Sequence, residues 1–336
     1  MKNDGFGGLM SSLNGKSVLI TGGTGSFGKA LVERLSHENQ VREIIVFSRD
    51  ELKQFEMRAS ISSNLVRFIL GDVRDFKRVL QATSGVDVVI HAAAMKQIPA
   101  AEDNPMEAIK TNILGAENIV NASIENKVSR VIALSTDKAA NPANLYGATK
   151  LCSDKLMIAG NRISPTSTTK FSVVRYGNVL GSRGSVIPFF LQQLSFGIIP
   201  VTDERMTRFW LTIQDGVEFV LSSLEIMHGG EIFVPKIPSF KVMDVAKVIA
   251  PKIPIKIIGI RPGEKLHEIM ITEDDSLYTM EFEKFYAILP PELLGATNYG
   301  GKGKMVEEGF KFSSDNNPIW HTEETFAQVL KDCGLL

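Results

Sequence analysis

The stretch ALSTDKAANPANLYGATK, residues 133–150, sets Tyr146 and Lys150 four apart, on one face of any helix that carries them. A lysine ammonium beside a phenol favours the phenolate, so Tyr146 is expected to have a lowered pKa and to take a proton at neutral pH. Ten residues before it sits Thr136, whose hydroxyl can hold a substrate hydroxyl. Those three side chains suffice to deprotonate an alcohol while hydride leaves the same carbon. Asp137 and Lys138 follow Thr136 at once, an acid and a second amine that this chemistry does not need. They suit a general acid and a general base, provided that both hold unusual protonation states. Lys138 must be neutral against a reference pKa of about 10.4, and burial and the Lys150 charge are expected to push it down. Asp137 must be protonated, which burial favours. If the two touch, the titration belongs to the pair. The plain alternative is a solvated ion pair on a loop.

Such a group of residues needs a strand end and a helix start brought together. KSVLITGG reads as a short buried strand, KALVERLSHE as a helix, and EIIVFSR, LVRFILGDV and VDVVIHAAA as further strands. AIKTNILGAENIVNASIEN has helical spacing, RVIALST is a strand, LYGATKLCSDKLMIAGN a helix and KFSVVRYGNV a sixth strand. Continuous apolar strands alternating with amphipathic helices predict an α/β fold, a doubly wound parallel sheet of Rossmann type covered on both faces. The pattern changes near residue 178, where loops lengthen and Pro188, Pro200, Pro235, Pro238, Pro251 and Pro254 follow. The expected organisation is a loose tail over 1–15, a dinucleotide-binding domain over 16–178 and a smaller substrate-binding lobe over 179–336. Some segments of that lobe, such as the short strand GGEIFVP, are expected to return to the first core. The segment from about 290 to 318, rich in Gly, Asn and Ser, reads as loop.

The first strand runs into TGGTGSFG, which gives Gly22, Gly25 and Gly28 at three-residue spacing with Thr24, Ser26 and Phe27 between them. Glycines there let a backbone turn tightly against a pyrophosphate, and the following helix offers free N–H groups and a positive dipole end. After the second strand stand Ser48, Arg49 and Asp50, with Lys53 beyond. Arg49 can pair a ribose 2′-phosphate, which favours NADP, whereas Asp50 could instead accept from the hydroxyl of NAD. Arg49 and Lys53 could also simply belong to a solvated face. Asp72 and Val73 are expected near the adenine, and Ala92 and Lys96 follow the fourth strand, where ligands sit.

The net charge of −1 gives no bulk attraction to nucleic acid or to an anionic membrane. No apolar run reaches the roughly 18 residues of a membrane span, and the opening MKNDGFGGLMSSLNG lacks the apolar core of a signal peptide. Two lone cysteines, Cys152 and Cys333, suit a reducing cytoplasm. No His/Cys cluster has metal-ligand spacing, and the histidines, His91 among them, read as structural.

The glycine turn, the Thr136 strand end and the Tyr146/Lys150 pair together resemble the extended short-chain dehydrogenases/reductases. SRDELKQ, GDVRD, HAAAMKQIP, STDKAANP, LYGATKLCSDK, VVRYGNVLGSRGSV, MTRFW and RPGEKLHE resemble, more closely, the inverting UDP-N-acetylglucosamine 4,6-dehydratases that open the pseudaminic acid pathway. Related dehydratases of nucleoside-diphospho-glucose usually carry Asp-Glu after the Thr, where this chain has Asp137-Lys138. The resemblance implies that Tyr146 takes the C4 hydroxyl proton as hydride leaves C4, and that Lys138 then removes the C5 proton and Asp137 protonates the departing C6 oxygen. It implies NADP as cofactor, with Tyr146, Lys150 and Val179 also against it, and UDP-N-acetylglucosamine as substrate. Arg208 and Arg261 are the implied diphosphate partners, with Asn178, Glu264 and Lys96 on the substrate, and Arg183 on substrate or a neighbouring subunit. A homo-oligomer, up to a hexamer, is also implied. The rival on the same scaffold is an epimerase at C4 or C5, or a retaining dehydratase. The rival of another class is a non-catalytic nucleotide-binding regulator.

Overall fold

The computed structural model describes residues 11–38, 40–163, 167–182, 185–294, 299 and 303–336. β1 (Ser17–Thr21) is a run of five buried side chains that ends in the glycine turn and enters α1 (Ser26–Glu38). The alternation continues through β2 (Glu43–Ser48), α2 (Glu51–Ser60), β3 (Val66–Leu70), α3 (Phe76–Ala82) and β4 (Val88–His91). After α4 (Ile98–Asp103), α5 (Pro105–Ile109) and α6 (Gly115–Glu125) come β5 (Arg130–Thr136), α7 (Leu145–Ile163) and β6 (Lys170–Tyr176). β1 pairs in parallel with both β2 and β4, so the strand order reverses between β1 and β4. In a sheet of this kind ligands bind outside the carboxyl ends of the strands at that reversal.

The chain then leaves the sheet through β7 (Asn178–Val179), which pairs with β9 rather than continuing β6. The switch occurs at Gly177, where a Cβ would lie 2.5 Å from the Phe209 Cβ. α8 (Val186–Gln193), β8 (Ile199–Val201), β9 (Thr207–Leu211), α9 (Ile213–Ile226), β10 (Ile232–Pro235), β11 (Ser239–Lys241), α10 (Val242–Ile249) and β12 (Ile255–Ile257) follow. The last elements are β13 (Ile269–Ile271), β14 (Thr279–Glu281), β15 (Phe285–Ile288), β16 (Lys304–Met305), β17 (Phe312–Ser313) and α11 (Glu323–Asp332). β10 returns to the large sheet, parallel to β6, and β15, β14 and β16 extend it antiparallel. The large sheet therefore runs β16-β14-β15-β10-β6-β5-β4-β1-β2-β3. Small sheets β11-β9-β7, β12-β8 and β13-β17 build the second lobe. Its core is separate, with the Trp210 ring 5.2 Å from Phe240 and 5.4 Å from Phe326.

Three local features differ from the sequence reading. α2 and α3 are helices that periodicity does not reveal: α2 buries only Gln54 and Met57 and leaves Phe55 70% exposed, so its apolar residues mark no core face. The helix expected over 108–126 contains a π-helical turn at Lys110–Leu114, a geometry without a sequence period of its own. Within the expected tail, residues 1–10 lie outside the described residues, but Ser11–Leu13 form a 3₁₀ turn, with Leu13 buried and Ser12 donating to Glu225 on α9.

Candidate active site

A cavity of about 1290 Å³ opens at the carboxyl ends of the parallel strands and extends to the second lobe. That exceeds the roughly 300–1,000 Å³ of a pocket for one small ligand. Its wall at the β1 end carries Gly22, Thr24, Gly25, Ser26, Phe27 and Gly28. Ser48, Arg49, Asp50 and Lys53 line it after β2, and Asp72, Val73 and Ala92 after β3 and β4. Thr136, Asp137, Lys138, Tyr146 and Lys150 stand at its centre; Lys96, Asn178, Val179, Arg208, Arg261 and Glu264 complete it. Arg183 lies outside the described residues.

The glycine turn has three distinct geometries. Gly22 has φ +66°, and a Cβ there would press on the Ala92–Ala93 backbone at 2.8 Å. At Gly28 a Cβ would lie 2.5 Å from the Gly23 Cα and carbonyl oxygen, so α1 can approach β1 only without one. At Gly25 a Cβ would meet nothing within 4 Å except Gly22 O at 3.1 Å, which leaves the backbone face open to a ligand above the start of α1. This arrangement fits a pyrophosphate. After β2, Asp50 caps α2 by accepting from the Lys53 backbone N–H at 3.0 Å, and it also pairs with the Lys53 ammonium. Arg49 is 62% exposed, its Nη1 3.8 Å from Asp72 Oδ2, while Arg74 holds that same oxygen at 2.6 Å.

The Asp137–Lys138 pair is not a solvated surface pair. Asp137 is fully buried, and its Oδ1 accepts from Lys138 Nζ and from Thr136 Oγ1, both at 3.0 Å. Burial raises the Asp137 carboxyl above its usual range, with Lys138 opposing and Glu268 adding to the rise. Lys138 departs from expectation. Burial alone would lower it, but Asp137 at 3.0 Å and Glu268 at 3.1 Å outweigh that and hold the ammonium well above its ordinary value. Tyr146 also departs: its surroundings push the phenol up to about 12 by burial, against the pull of Lys138 and a hydrogen bond with Thr136. Lys150 is buried and lowered by that burial, with Asp154, one turn further along α7, opposing. His91 at the end of β4 is buried against Thr21 Oγ1 at 2.8 Å and is lowered to about 3 by burial, then by Lys150.

On the substrate side the cations differ in freedom. Arg208 donates to the carbonyls of Thr207 at 2.6 Å, Leu266 at 3.1 Å and Lys265 at 3.0 Å, and its Nε stands 3.6 Å from Glu268. Its guanidinium is thus turned into the protein. Arg261 is exposed, its backbone N–H donating to Glu264 at 3.3 Å. Asn178 has a buried Oδ1 without a hydrogen-bond partner. Two groups, one in the site and one behind it, escaped the sequence reading. Glu268, from the end of the RPGEKLHE stretch, is buried beside Lys138; only the lobe's fold brings it there. Asn112, in the π turn, accepts from Met95 N at 2.8 Å and donates to Met95 O and Thr149 Oγ1, both at 2.9 Å. It fastens the loop after β4 to α7, the helix that carries Tyr146 and Lys150.

Comparison with known proteins adds four likenesses. The polysaccharide biosynthesis protein family matches residues 18–290. A UDP-N-acetylglucosamine 4,6-dehydratase (inverting) of Campylobacter jejuni is 56% identical over 326 residues, 94% of this chain and 98% of that protein. A UDP-glucose 4-epimerase of Rickettsia conorii is 44% identical over 81% of this chain and 82% of its own length. The X-ray structure of Pen from Bacillus thuringiensis superposes with a TM-score of 0.90 at 36% identity, over 96% of this chain and 99% of that one.

Proposed function

The chain belongs to the polysaccharide biosynthesis protein family, and from that premise we propose that it is an inverting UDP-N-acetylglucosamine 4,6-dehydratase. Its product would be UDP-2-acetamido-2,6-dideoxy-β-L-arabino-hexos-4-ulose, an early intermediate for pseudaminic acid and surface glycans. The observation that carries this reading is the buried Asp137–Lys138 pair beside Thr136 and Tyr146 in one cavity. An epimerase only moves hydride out and back; a 4,6-dehydratase also needs an acid for the C6 oxygen and a base for C5.

A nicotinamide dinucleotide on the Gly22–Gly28 cradle supplies a reversible hydride acceptor. Arg49 supports NADP in particular, since Asp50 is engaged in capping α2 while Arg49 is exposed beside it. Thr136 holds the C4 hydroxyl and Tyr146 takes its proton. With the phenol at about 12, the base form has to arise when bound ligands bring positive charge into the cavity. Lys150, buried at one turn's distance, orients this chemistry from α7. Once C4 is a ketone the C5 hydrogen is acidic. Lys138 removes it and Asp137 delivers its proton to the C6 oxygen, which leaves as water. Hydride would then return to C6, and a proton added to C5 on the opposite face would give the inverted 6-deoxy-4-keto sugar. Arg261 and Lys96 serve the diphosphate and sugar, Glu264 and Asn178 the polar groups beside them. Arg208 acts through Glu268 and the lobe backbone. Exposed apolar Phe196, Ile198, Ile257 and Ile258 suit contact between subunits of a homo-oligomer. Both cysteines are unpaired, as suits a reducing cytoplasm, and among the described residues no helix is long and apolar enough to cross a membrane.

The test is incubation with UDP-N-acetylglucosamine and NADP in deuterated water, followed by NMR of the product. A 6-deoxy-4-keto sugar with deuterium at C5 and the L-arabino configuration is expected. An intact C6 hydroxyl with inverted C4 would make the protein an epimerase, and a D-xylo product a retaining dehydratase.

A further inference from the structure

Lys138 stands between two buried carboxylates. Its Nζ is 3.0 Å from Asp137 Oδ1 and 3.1 Å from Glu268 Oε1. The two acids are not equivalent. Glu268 also faces Arg208, with Nε 3.6 Å from Oε1, and Lys265, with Nζ 3.9 Å from Oε2. Among the described residues, Asp137 forms an ion pair only with Lys138. Each carboxylate turns one oxygen to Lys138 and keeps the other buried without a hydrogen-bond partner. Glu268 faces three cations and Asp137 one, so of the two buried acids the anion is the more stable at Glu268.

Resting on the dehydratase reading, we propose that Glu268 is the counter-ion of Lys138: it carries the negative charge so that Asp137 can keep a proton, and it accepts the Lys138 proton when the amine acts as base. Glu268 is therefore a positioning residue that acts through Lys138. The resting state is neutral Asp137, cationic Lys138 and anionic Glu268. Burial opposes ionisation at both acids, yet its cations hold Glu268 below the usual carboxylate range while Asp137 stays above it.

The protons balance over one elimination. A proton moves from Lys138 Nζ to Glu268 Oε1. Rotation about the Cε–Nζ bond turns the amine lone pair to the substrate, and it takes the C5 proton. The C5–H electron pair becomes the C5–C6 double bond, and the C6–O pair leaves with the Asp137 proton as water. What remains is anionic Asp137, cationic Lys138 and protonated Glu268. Lys138 then gives one proton to Asp137 and takes one from Glu268, which restores the resting state without a proton from solvent. None of the three groups is oxidised or reduced.

The decisive variant is Glu268→Gln in the holoenzyme with UDP-N-acetylglucosamine. Lys138 then has only Asp137 as its anion, so acid and base are both spent in one ion pair. C4 oxidation, read as bound reduced nicotinamide, should persist, while C5 exchange and water loss at neutral pH fall by about 10²–10⁴-fold. The pH profile should move as well. In the parent the alkaline limb follows loss of the Asp137 proton in the field of Lys138, Arg208, Lys265 and Glu268. In Glu268→Gln activity disappears only when the remaining Asp137–Lys138 pair loses its shared proton, so that limb should lie at higher pH. Glu268→Asp keeps a carboxylate and should recover part of the rate with the parent's limb. Parent-like exchange with an unmoved limb in Glu268→Gln would overturn the proposal. So would loss of C4 oxidation in both variants, which would make Glu268 a support of the fold. A parent enzyme that never exchanges C5 would instead refute the dehydratase reading.

Discussion

At the scale of the residue, sequence neighbours do not fix protonation states. Lys150 is one turn from Tyr146, yet the phenol responds to burial, Lys138 and Thr136. The Lys138 side chain is only 19% exposed, yet two carboxylates at 3.0 and 3.1 Å keep it cationic. The same logic bears on Arg49. Its neighbour Asp50 is committed to the α2 cap, so on the proposed reading discrimination between the two dinucleotides would fall on the guanidinium. Arg49→Ala should weaken NADP binding by about 1.5–3 kcal/mol, the range for hydrogen bonds to charged groups, and leave NAD almost unchanged. Calorimetric titration of both nucleotides checks this; equal losses would remove Arg49 from 2′-phosphate recognition.

At the scale of the element, the β1–α1 turn separates packing from binding. Gly28→Ala drives a methyl into Gly23 backbone at 2.5 Å, where no side chain can give way. It should destabilise the fold by about 1–3 kcal/mol, the usual cost of overpacking. Gly25→Ala meets only Gly22 O at 3.1 Å and should leave the melting temperature of the ligand-free protein near that of the parent. Its methyl occupies the open face of the cradle, so dinucleotide affinity should fall at least about tenfold, or 1.4 kcal/mol. Thermal unfolding without ligand and titration with it separate the two. A Gly25→Ala protein that binds like the parent would show that the pyrophosphate lies elsewhere.

At the scale of the whole molecule, the second lobe completes a site begun by the sheet, because Arg208 comes from β9 and Glu268 from the segment before β13. The large sheet, in turn, buries an ionisable group at its centre. His91 is lowered to about 3 by burial first and the Lys150 charge second. Its folded pKa lies below the unfolded value of about 6.5. The neutral ring therefore contributes stability that is full above that value and is lost as pH falls towards 3, because the unfolded chain binds the proton first. His321, also lowered by burial, contributes stability that is lost in the same direction as pH falls below about 6.5. Below about pH 6.5 each group can cost up to about 1.4 kcal/mol of stability per pH unit. Denaturant unfolding between pH 7 and 5 should show this fall, and His91→Gln should make it shallower. An unchanged slope in that variant would mean that His91 is not the titrating group.

Continuous apolar runs at Ser17–Thr21, Glu43–Ser48 and Val88–His91 determine a parallel sheet by themselves, since a strand buried on both faces needs no alternation. The glycine spacing and the i, i+4 pair Tyr146/Lys150 are equally local, because one turn and one helix set their geometry. α2 was hidden because it turns Leu52 and Phe55 outward, and the π turn because it shifts a helical register without changing residue types. Glu268 is 130 residues from Lys138 along the chain, and no local period connects them. Only the tertiary structure decided that Lys138 has two counter-ions, that Arg208 turns inward and that Asp50 is a cap. Protonation depends on which charges share a low-dielectric space, and that distance is set by folding rather than by sequence separation.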